Sequence, residues 1–341
     1  MSVVTAATRV MEHVTLPDAL ISAGIAAAVG RTRRRLERIG PGAEAAFARA
    51  MMARPIAMRP DAANAQHYEV PAAFFGLVLG RRRKYSCCLY EAGADTLDAA
   101  EERALAETAA HADLADGQDI LELGCGWGSL SLWMAERFPA ARIVAVSNSL
   151  SQRTYIEAEA AACGLGNLRV VTADMNDFDP GTRFDRIVSV EMFEHMANWP
   201  ALLARVRTWV RPDGRLFLHV FSHRAVPFLY DDADKDDWIA QHFFTGGIMP
   251  SHGLIGHVEA PFAVEAGWRW PGTHYARTAR DWLANFDRET EAVEAVLRFV
   301  YGADAAMWRR RWRVFFLATA GLFGHANGSE WGVSHFRLRP E

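Results

Sequence analysis

The chain has 341 residues, of which half are hydrophobic and 23% are charged, and its formal net charge is −4. This composition is typical of a soluble globular protein with either one large α/β domain and an added subdomain or two domains. The weakly acidic charge gives no general attraction to nucleic acid, so nucleic-acid binding is excluded as the main function.

Basic residues and cysteines limit the cellular setting. The basic residues cluster in RTRRR (31–35), RRRK (81–84) and RRRWR (309–313). Solvated helix faces are the simpler interpretation, and contact with anionic phospholipid headgroups is the alternative. The four cysteines have neither a disulfide-framework nor a zinc-site spacing. We therefore expect reduced thiols in the cytoplasm, and no metal ion.

The first part of the chain is rich in Ala and Arg. We predict an N-terminal helical segment over 1–62, with a linker at 54–65, followed by one domain over 63–341. The apolar stretch 19–30 is too short to span a bilayer and lacks a basic flank. It therefore predicts a packed or surface-lying helix rather than an anchor or a signal peptide.

From about residue 100, strands alternate with helices. The predicted strands are 119–125, 142–148, 168–174, 184–192 and 215–221. Alternation at this spacing implies right-handed crossovers and a parallel sheet with helices on both faces.

The chain after residue 221 has a different pattern. Residues 222–260 are polar, Gly-rich and aromatic, which predicts a lid. Residues 275–302 and 305–324 predict two long helices within a cap over about 275–328.

A glycine-rich loop follows the first strand in LELGCGWGSL (121–130), where Gly124 and Gly126 precede a helix. Such glycines let the backbone approach a ligand at a helix N-terminus. A dinucleotide site would have a glycine or alanine at Ser129 and an acid at the end of the second strand, so hydride transfer is disfavoured. Glu122 instead favours S-adenosylmethionine (SAM), whose amino group and sulfonium attract a carboxylate.

The motif VEMFEHM (190–196) follows the fourth predicted strand and places Glu191, Glu194 and His195 within one helical turn. Ligands bind at the carboxyl ends of such strands. Carboxylates can pair with an ammonium group and an imidazole can take its proton, so these residues are candidates for the acceptor side of a reaction. A purely structural polar network is the alternative, and the motif lacks the paired histidines of a zincin helix.

Five motifs, in order, resemble the cyclopropane-fatty-acid synthase superfamily of SAM-dependent enzymes, and within it the coclaurine N-methyltransferase branch. The resemblance covers about 65–341. The motifs are HYEVPAAFFGLVLGRRRKYSCCLY (67–90), LELGCGWGSL (121–130), AVSNSLSQ (145–152), DRIVSVEMFEHM (185–196) and WIAQHFFTGGIMPS (238–251).

The resemblance implies a class I, Rossmann-like α/β fold. It has a mostly parallel seven-stranded sheet with an antiparallel pair at one edge, at about 262–270 and 330–339. It also implies a set of SAM-binding residues. These are Tyr85 and Ser86 at the methionine moiety, Gly124 and Gly126 at its backbone-like end, Ser147, Asn148 and Gln152 at the ribose, and Asp174, Met175 and Asn176 at the adenine.

The superfamily divides at the acceptor. In the cyclopropane synthases, Cys, Glu, His and Tyr side chains hold a bicarbonate ion, and the matching positions here are Cys87, Glu194, His219 and Tyr275. Position 191 favours the amine branch, because the synthases have a glycine before MFEH where this chain has Glu191. A carboxylate there can pair with an ammonium group and help it lose a proton.

We therefore predict a SAM-dependent N-methyltransferase for a small cyclic amine, such as a benzylisoquinoline. His195 is the predicted proton acceptor, Glu191 orients it, and Glu194 supports the network. The alternatives are cyclopropanation or methylation of unsaturated phospholipid acyl chains, and a SAM-binding regulator. Membrane contact is not favoured, and a homodimer stays open.

Overall fold

The computed structural model describes residues 3–58, 70–91, 93–231, 233–234 and 237–341. Most of the predicted linker at 54–65 lies outside these ranges. All four cysteines are free thiols, as predicted.

A seven-stranded sheet forms the centre of the molecule. Its strands are β1 (Asp119–Leu123), β2 (Arg142–Ser147), β3 (Leu168–Thr172), β4 (Phe184–Val190), β5 (Val210–His223), β8 (Phe262–Pro271) and β9 (Trp331–Pro340). The order is β3-β2-β1-β4-β5-β9-β8. Strands β1 to β5 are parallel, and β9 runs antiparallel between β5 and β8. The predicted sheet and its antiparallel edge pair are confirmed.

Helices cover both faces of this sheet. They are α5 (Leu97–His111), α6 (Ser129–Arg137), α7 (Leu150–Ala162) and α8 (Trp199–Trp209). Leu202 and Val206 of α8 pack in one core with Leu121 of β1. Leu130 of α6 packs in another core with Ile120, the neighbouring residue of the same strand. Successive β1 residues are thus buried on opposite faces, which is why this strand is almost entirely apolar.

The N-terminal part is helical, with α1 (Val3–His13), α2 (Asp18–Glu37) and α3 (Ala43–Met51), and α4 (Ala72–Val78) follows. The apolar stretch 19–30 lies in α2, which packs against α12 (Ala305–Gly324) near the end of the chain. None of the helices in the described ranges combines the length and apolarity that crossing a bilayer demands.

The chain between β5 and β8 forms a small hairpin, β6 (Phe228–Leu229) with β7 (Ile248–Met249), and a short helix, α9 (Trp238–His242). The prediction of one helix over 275–302 is wrong. Two helices occur, α10 (Thr273–Arg288) and α11 (Thr290–Tyr301), separated at Glu289. The break lets both helices turn their apolar faces towards α4 and α12, which one straight helix could not do.

The basic clusters are largely paired within the chain. Arg82 forms ion pairs with Glu102 and Glu136, and Arg313 does so with Asp18 and Asp287. The ammonium group of Lys84 is buried and donates hydrogen bonds to Ser86 Oγ (2.5 Å) and to the Cys87 carbonyl (2.7 Å). The expectation of solvated faces is therefore wrong for Lys84, whereas Arg82 and Arg313 form their ion pairs at the partly exposed surface.

Candidate active site

A cavity of about 1370 Å³ lies beside the glycine-rich loop and the end of β4. Pockets for one drug-sized ligand span roughly 300 to 1,000 Å³, so this one has room for two ligands. Helices α2, α9, α10 and α12 contribute other parts of its wall. Nine of the predicted site residues line it, namely Tyr85, Ser86, Glu122, Gly124, Gly126, Gln152, Glu191, His195 and Tyr275.

The glycine-rich loop needs its glycines for two different reasons. Gly124 has a φ of +80° and a Cβ there would lie 2.5 Å from Met192. Gly126 has a φ of +51°, and no described atom lies within 4 Å of the position of its Cβ. The first glycine therefore lets the VEMFEHM motif pack against the loop, and the second leaves open space on the cavity side.

Polar groups around this loop fit SAM. Glu122 is buried, accepts a hydrogen bond from Ser131, and burial raises its pKa to about 7. Trp127 Nε1 and Ser129 Oγ are buried and lack a hydrogen-bond partner among the described residues, although both residues line the cavity. Buried polar groups normally have partners. A ligand with an ammonium group, a carboxylate and hydroxyl groups satisfies such a set.

The predicted ribose and adenine residues divide into two groups. Gln152 lines the cavity, and its Oε1 accepts a hydrogen bond of 2.6 Å from Ser147 Oγ. Asn176 accepts a hydrogen bond from the Ala57 backbone, 3.1 Å away. Within the described ranges, the cavity wall does not include Ser147, Asn148, Asp174, Met175 or Asn176. Ser147 contacts Gln152, and the ribose and adenine roles of these five residues stay predictions.

Glu191 stands at the centre of the acceptor side. Its φ of +49° is in the left-handed region, and its N–H donates to the His219 carbonyl at 2.8 Å. Its carboxylate accepts from Tyr275 OH at 2.6 Å and from the Cys87 N–H at 3.0 Å, and His219 Nε2 lies 3.2 Å away. Burial raises the Glu191 pKa. The strained backbone thus aims a carboxylate into a ring of hydrogen-bond donors.

The structure separates Glu194 from Cys87, His219 and Tyr275, the three residues predicted to lie beside it. It lies in the 3₁₀ turn Phe193–His195, and its Oε1 accepts a 2.6 Å hydrogen bond from the Phe221 N–H of β5. Its side chain is fully buried and is not part of the described cavity wall. Burial, and after it the charge of Glu191, hold the Glu194 pKa well above its ordinary value. The three residues predicted to join Glu194, namely Cys87, His219 and Tyr275, surround Glu191 instead.

His195 lines the cavity and its ring packs against Phe244, with the centroids 4.5 Å apart. Phe244 also contacts Phe221 and Tyr230. Tyr275, which also lines the cavity, stacks on Phe323 with the ring centroids 4.4 Å apart. Aromatic rings therefore flank the carboxylate, an environment that attracts a cationic acceptor.

Sequence reasoning missed several residues of this site. Trp127 stands in the GCGWG motif, and its indole was a visible signal. Buried Lys84 looked like part of a surface cluster. His335, which lies opposite His219 in the β5–β9 pairing, had no signal, because strand pairing alone brings the two together.

The fold and the site together define a class I SAM-dependent methyltransferase. The antiparallel strand β9 between β5 and the edge strand β8, the glycine-rich loop after β1 and the acid that precedes this loop are the features of this class.

The chain belongs to the mycolic acid cyclopropane synthetase family, which it matches over residues 57–327. It is 34% identical to (S)-coclaurine N-methyltransferase of Thalictrum flavum subsp. glaucum, over 82% of this chain and 79% of that protein. It is 29% identical to the cyclopropane-fatty-acyl-phospholipid synthase of Escherichia coli (strain K12), over 74% of this chain and 66% of that protein.

Solved structures agree with these relatives. The crystal structure of coclaurine N-methyltransferase bound to N-methylheliamine and SAH matches with a TM-score of 0.94 at 30% identity, covering 99% of this chain and 100% of that one. The cyclopropane synthase MmaA2 of Mycobacterium tuberculosis matches with a TM-score of 0.70 at 23% identity, which supports the fold alone. The predicted family, fold, SAM dependence and kinship with N-methyltransferases are confirmed.

Proposed function

We propose that this enzyme transfers a methyl group from SAM to the nitrogen of a small cyclic amine. The observation that carries the proposal is the Glu191 carboxylate, which is only 8% exposed and lies on the cavity wall among aromatic rings. A buried carboxylate that faces a ligand cavity favours a cationic partner. The kinship with enzymes named for amine substrates supports the same acceptor.

The residues of the chain divide the work of the reaction. SAM, when bound, supplies an electrophilic methyl group. Glu191 pairs with the ammonium form of the acceptor, orients its nitrogen and accepts its proton, which frees the lone pair for attack. His195, which also lines the cavity, orients the acceptor. This exchanges the two roles predicted from the sequence, because the hydrogen bonds from Cys87 and Tyr275 fix Glu191 in place.

The geometry around Glu191 also argues against the lipid alternative. Cys87, His219 and Tyr275 match the positions that hold bicarbonate in the cyclopropane synthases. Here the Glu191 carboxylate lies within hydrogen-bonding distance of all three and fills the place of a free anion. A base supplied by a side chain of the protein, instead of a free anion, suits an amine, because the amine loses its proton at the reacting nitrogen.

The deciding experiment is an acceptor screen. The purified enzyme is incubated with methyl-labelled SAM and either cyclic secondary and tertiary amines or vesicles of unsaturated phospholipid, and the products are identified by mass spectrometry. Label on nitrogen supports the proposal. Label only in acyl chains would replace it with cyclopropanation or lipid methylation, and SAM binding without any transfer would favour a regulator.

The Glu191→Gly variant tests the role of the carboxylate. We expect the kcat for a good amine acceptor to fall by about 10²-fold or more, the range of general base catalysis, with SAM affinity little changed. Formate should restore part of the activity, because a small anion fits between the Tyr275 hydroxyl, the Cys87 N–H and His219. His195→Ala should mainly raise the KM for the amine. Full activity of Glu191→Gly without formate would refute this assignment.

A further inference from the structure

A continuous chain of hydrogen bonds connects Glu191 with the protein surface. Glu191 Oε1 lies 3.2 Å from His219 Nε2, and His219 Nδ1 lies 2.8 Å from His335 Nε2. His335 Nδ1 lies 2.8 Å from His111 Nδ1, and His111 Nε2 lies 3.0 Å from Glu107 Oε1. This chain of hydrogen bonds runs from His219 on β5 to His335 on β9 and then to His111 in the last turn of α5. No other side chain interrupts it.

The two ends of this chain differ in exposure. His219 and His335 are fully buried, whereas the Glu107 side chain is 32% exposed and reaches water. Trp268 stacks on His111 with ring centroids 3.8 Å apart and shields it from solvent. The chain therefore begins at the cavity and ends at solvent.

Burial disfavours the charged form of the three imidazoles. Burial lowers the pKa of His111 and holds the pKa values of His219 and His335 well below the ordinary histidine value. Among the described residues, the charged groups that face the chain are Lys84 near its inner end and Arg337 near His111, besides the two terminal carboxylates. Both cations disfavour an added positive charge on the rings.

Neutral imidazoles allow two complete arrangements of this chain. Each ring has one N–H donor and one bare nitrogen acceptor. In the first arrangement Glu191 holds a proton, every N–H points outward, and Glu107 is ionised. In the second, each of the four bridging protons has moved across its own hydrogen bond. Glu191 is then ionised and Glu107 holds a proton, while all three histidines remain neutral.

We propose that this chain carries the proton lost by the amine from Glu191 to Glu107 and on to water. The inference rests on the proposed function, since a protonated acceptor supplies the proton. The N–H bond of the ammonium breaks and an O–H bond forms on Glu191. The four shifts along the chain then form an O–H bond on Glu107, which passes the proton to solvent. Before the next turnover, each histidine proton exchanges back to the outward-facing ring nitrogen, which restores the first arrangement. The nitrogen keeps its electron pair for attack on the methyl group.

The reaction needs such an exit. One proton is released for each ammonium that is methylated, and a buried Glu191 that keeps it cannot deprotonate the next acceptor. Glu191 is only 8% exposed and lines the cavity that SAM and the amine would fill, so bound ligands would separate it from bulk water. Histidines that only satisfied one another's hydrogen bonds would have no need to reach a carboxylate at the surface.

Glutamine variants test the relay. Glu107→Gln and His335→Gln can keep hydrogen bonds with their neighbours, but an amide cannot pass a proton along. The kcat is measured with two cyclic amines of similar shape, one protonated at the assay pH and one, weakened by fluorination, that is neutral there. We expect about ten-fold or more loss with the protonated amine, unchanged turnover of the neutral one, and unchanged SAM affinity.

His252→Gln is the matched control. His252 is half-buried and contacts Ser334, next to His335 in sequence, but is outside the chain. In the His252→Gln variant, the ratio of the kcat values for the two amines should equal the wild-type ratio. Imidazole added to the Glu107→Gln enzyme should restore turnover of the protonated amine. Equal losses with both amines, or no loss in either relay variant, would overturn the proposal. If His335→Gln does not fold, the partly exposed Glu107→Gln decides.

A failure of the proposed function gives a different result. In that case the wild-type enzyme methylates neither amine. The three hydrogen-bonded histidines are then examined by nitrogen NMR of the wild-type enzyme made with labelled histidine. One protonated and one bare nitrogen on each of the three rings near neutral pH supports a neutral relay. An imidazolium at His219 or His335 would refute it.

Discussion

At the scale of single residues, groups that lower the stability of the folded protein lie where they face a ligand. Glu191 combines a left-handed backbone with a buried carboxylate. A non-glycine residue in this region costs about 1–2 kcal/mol, so Glu191→Gly relieves strain while it removes the base. The variant should therefore fold well and lose activity, which is the common opposition between stability and function.

We predict that Glu122 makes SAM binding depend on pH. Burial raises its pKa to about 7, and a nearby cationic ligand favours the ionised form and lowers this pKa in the complex. Binding below the free-enzyme value then releases a proton, so SAM affinity should rise with pH up to about 7 and level off above it. Calorimetry across this range measures the effect.

Glu122→Gln and SAH are the controls for this prediction. The glutamine variant should bind SAM more weakly, with an affinity that changes less with pH. SAH lacks the sulfonium charge, and its affinity should rise less steeply. A flat profile for SAM on the wild-type enzyme would mean that Glu122 stays in one protonation state in the free and bound enzyme.

At the scale of elements, the loop after β1 and the turn after β4 form one unit. Gly124 of the loop touches Met192, the neighbour of Glu191 in the VEMFEHM motif. The cofactor side and the acceptor side are therefore held in register by direct packing. A shift of either element changes the distance between the two ligands, on which methyl transfer depends.

Gly124→Ala tests this coupling. Its Cβ would combine a φ of +80° with a 2.5 Å clash at Met192. We expect a loss of about 1–3 kcal/mol in unfolding free energy, weaker SAM binding and a lower kcat. Gly164→Ala is the control, since φ there is +69° with no atom within 4 Å, so it has the backbone strain without the clash. Chemical denaturation and calorimetry compare the two, and equal behaviour would contradict the coupling.

At the scale of the whole molecule, the cavity is closed by elements far apart in the chain. Helix α2 lies against α12, where a Cβ on Gly321 would come within 2.5 Å of Ile25. The glycine permits a close approach of the two helices, and both line the cavity. The N-terminal helices are thus part of the site although they lie outside the sheet.

Gly321→Leu should push α2 away from α12. We expect a higher KM for the amine and faster tryptic cleavage in the arginine-rich half of α2, with the far-ultraviolet circular dichroism of the α/β domain retained. Gly30→Ala is the control, because the nearest atom to its Cβ is a flexible arginine of the same helix, 3.5 Å away. Unchanged proteolysis and KM in Gly321→Leu would show that the contact between Gly321 and Ile25 does not hold α2 against α12.

The sequence by itself determined the sheet, the cofactor loop and the position of the acceptor motif. These features depend on local patterns: apolar runs, helix periodicity, and glycines between a strand and a helix. The family motifs added the antiparallel edge and supported SAM, which Glu122 already favoured. The break at Glu289 was not predictable in this way, because it follows from where α10 and α11 must turn their apolar faces.

Only the tertiary structure decided what surrounds the carboxylate. Cys87, His219 and Tyr275 come from distant parts of the chain and meet at Glu191, whereas Glu194, three residues away, turns to β5. The line of histidines from Glu191 to the surface has the same origin, since strand pairing and helix packing bring its members together. Sequence spacing encodes which face of an element a residue occupies, and long-range packing decides what it meets there.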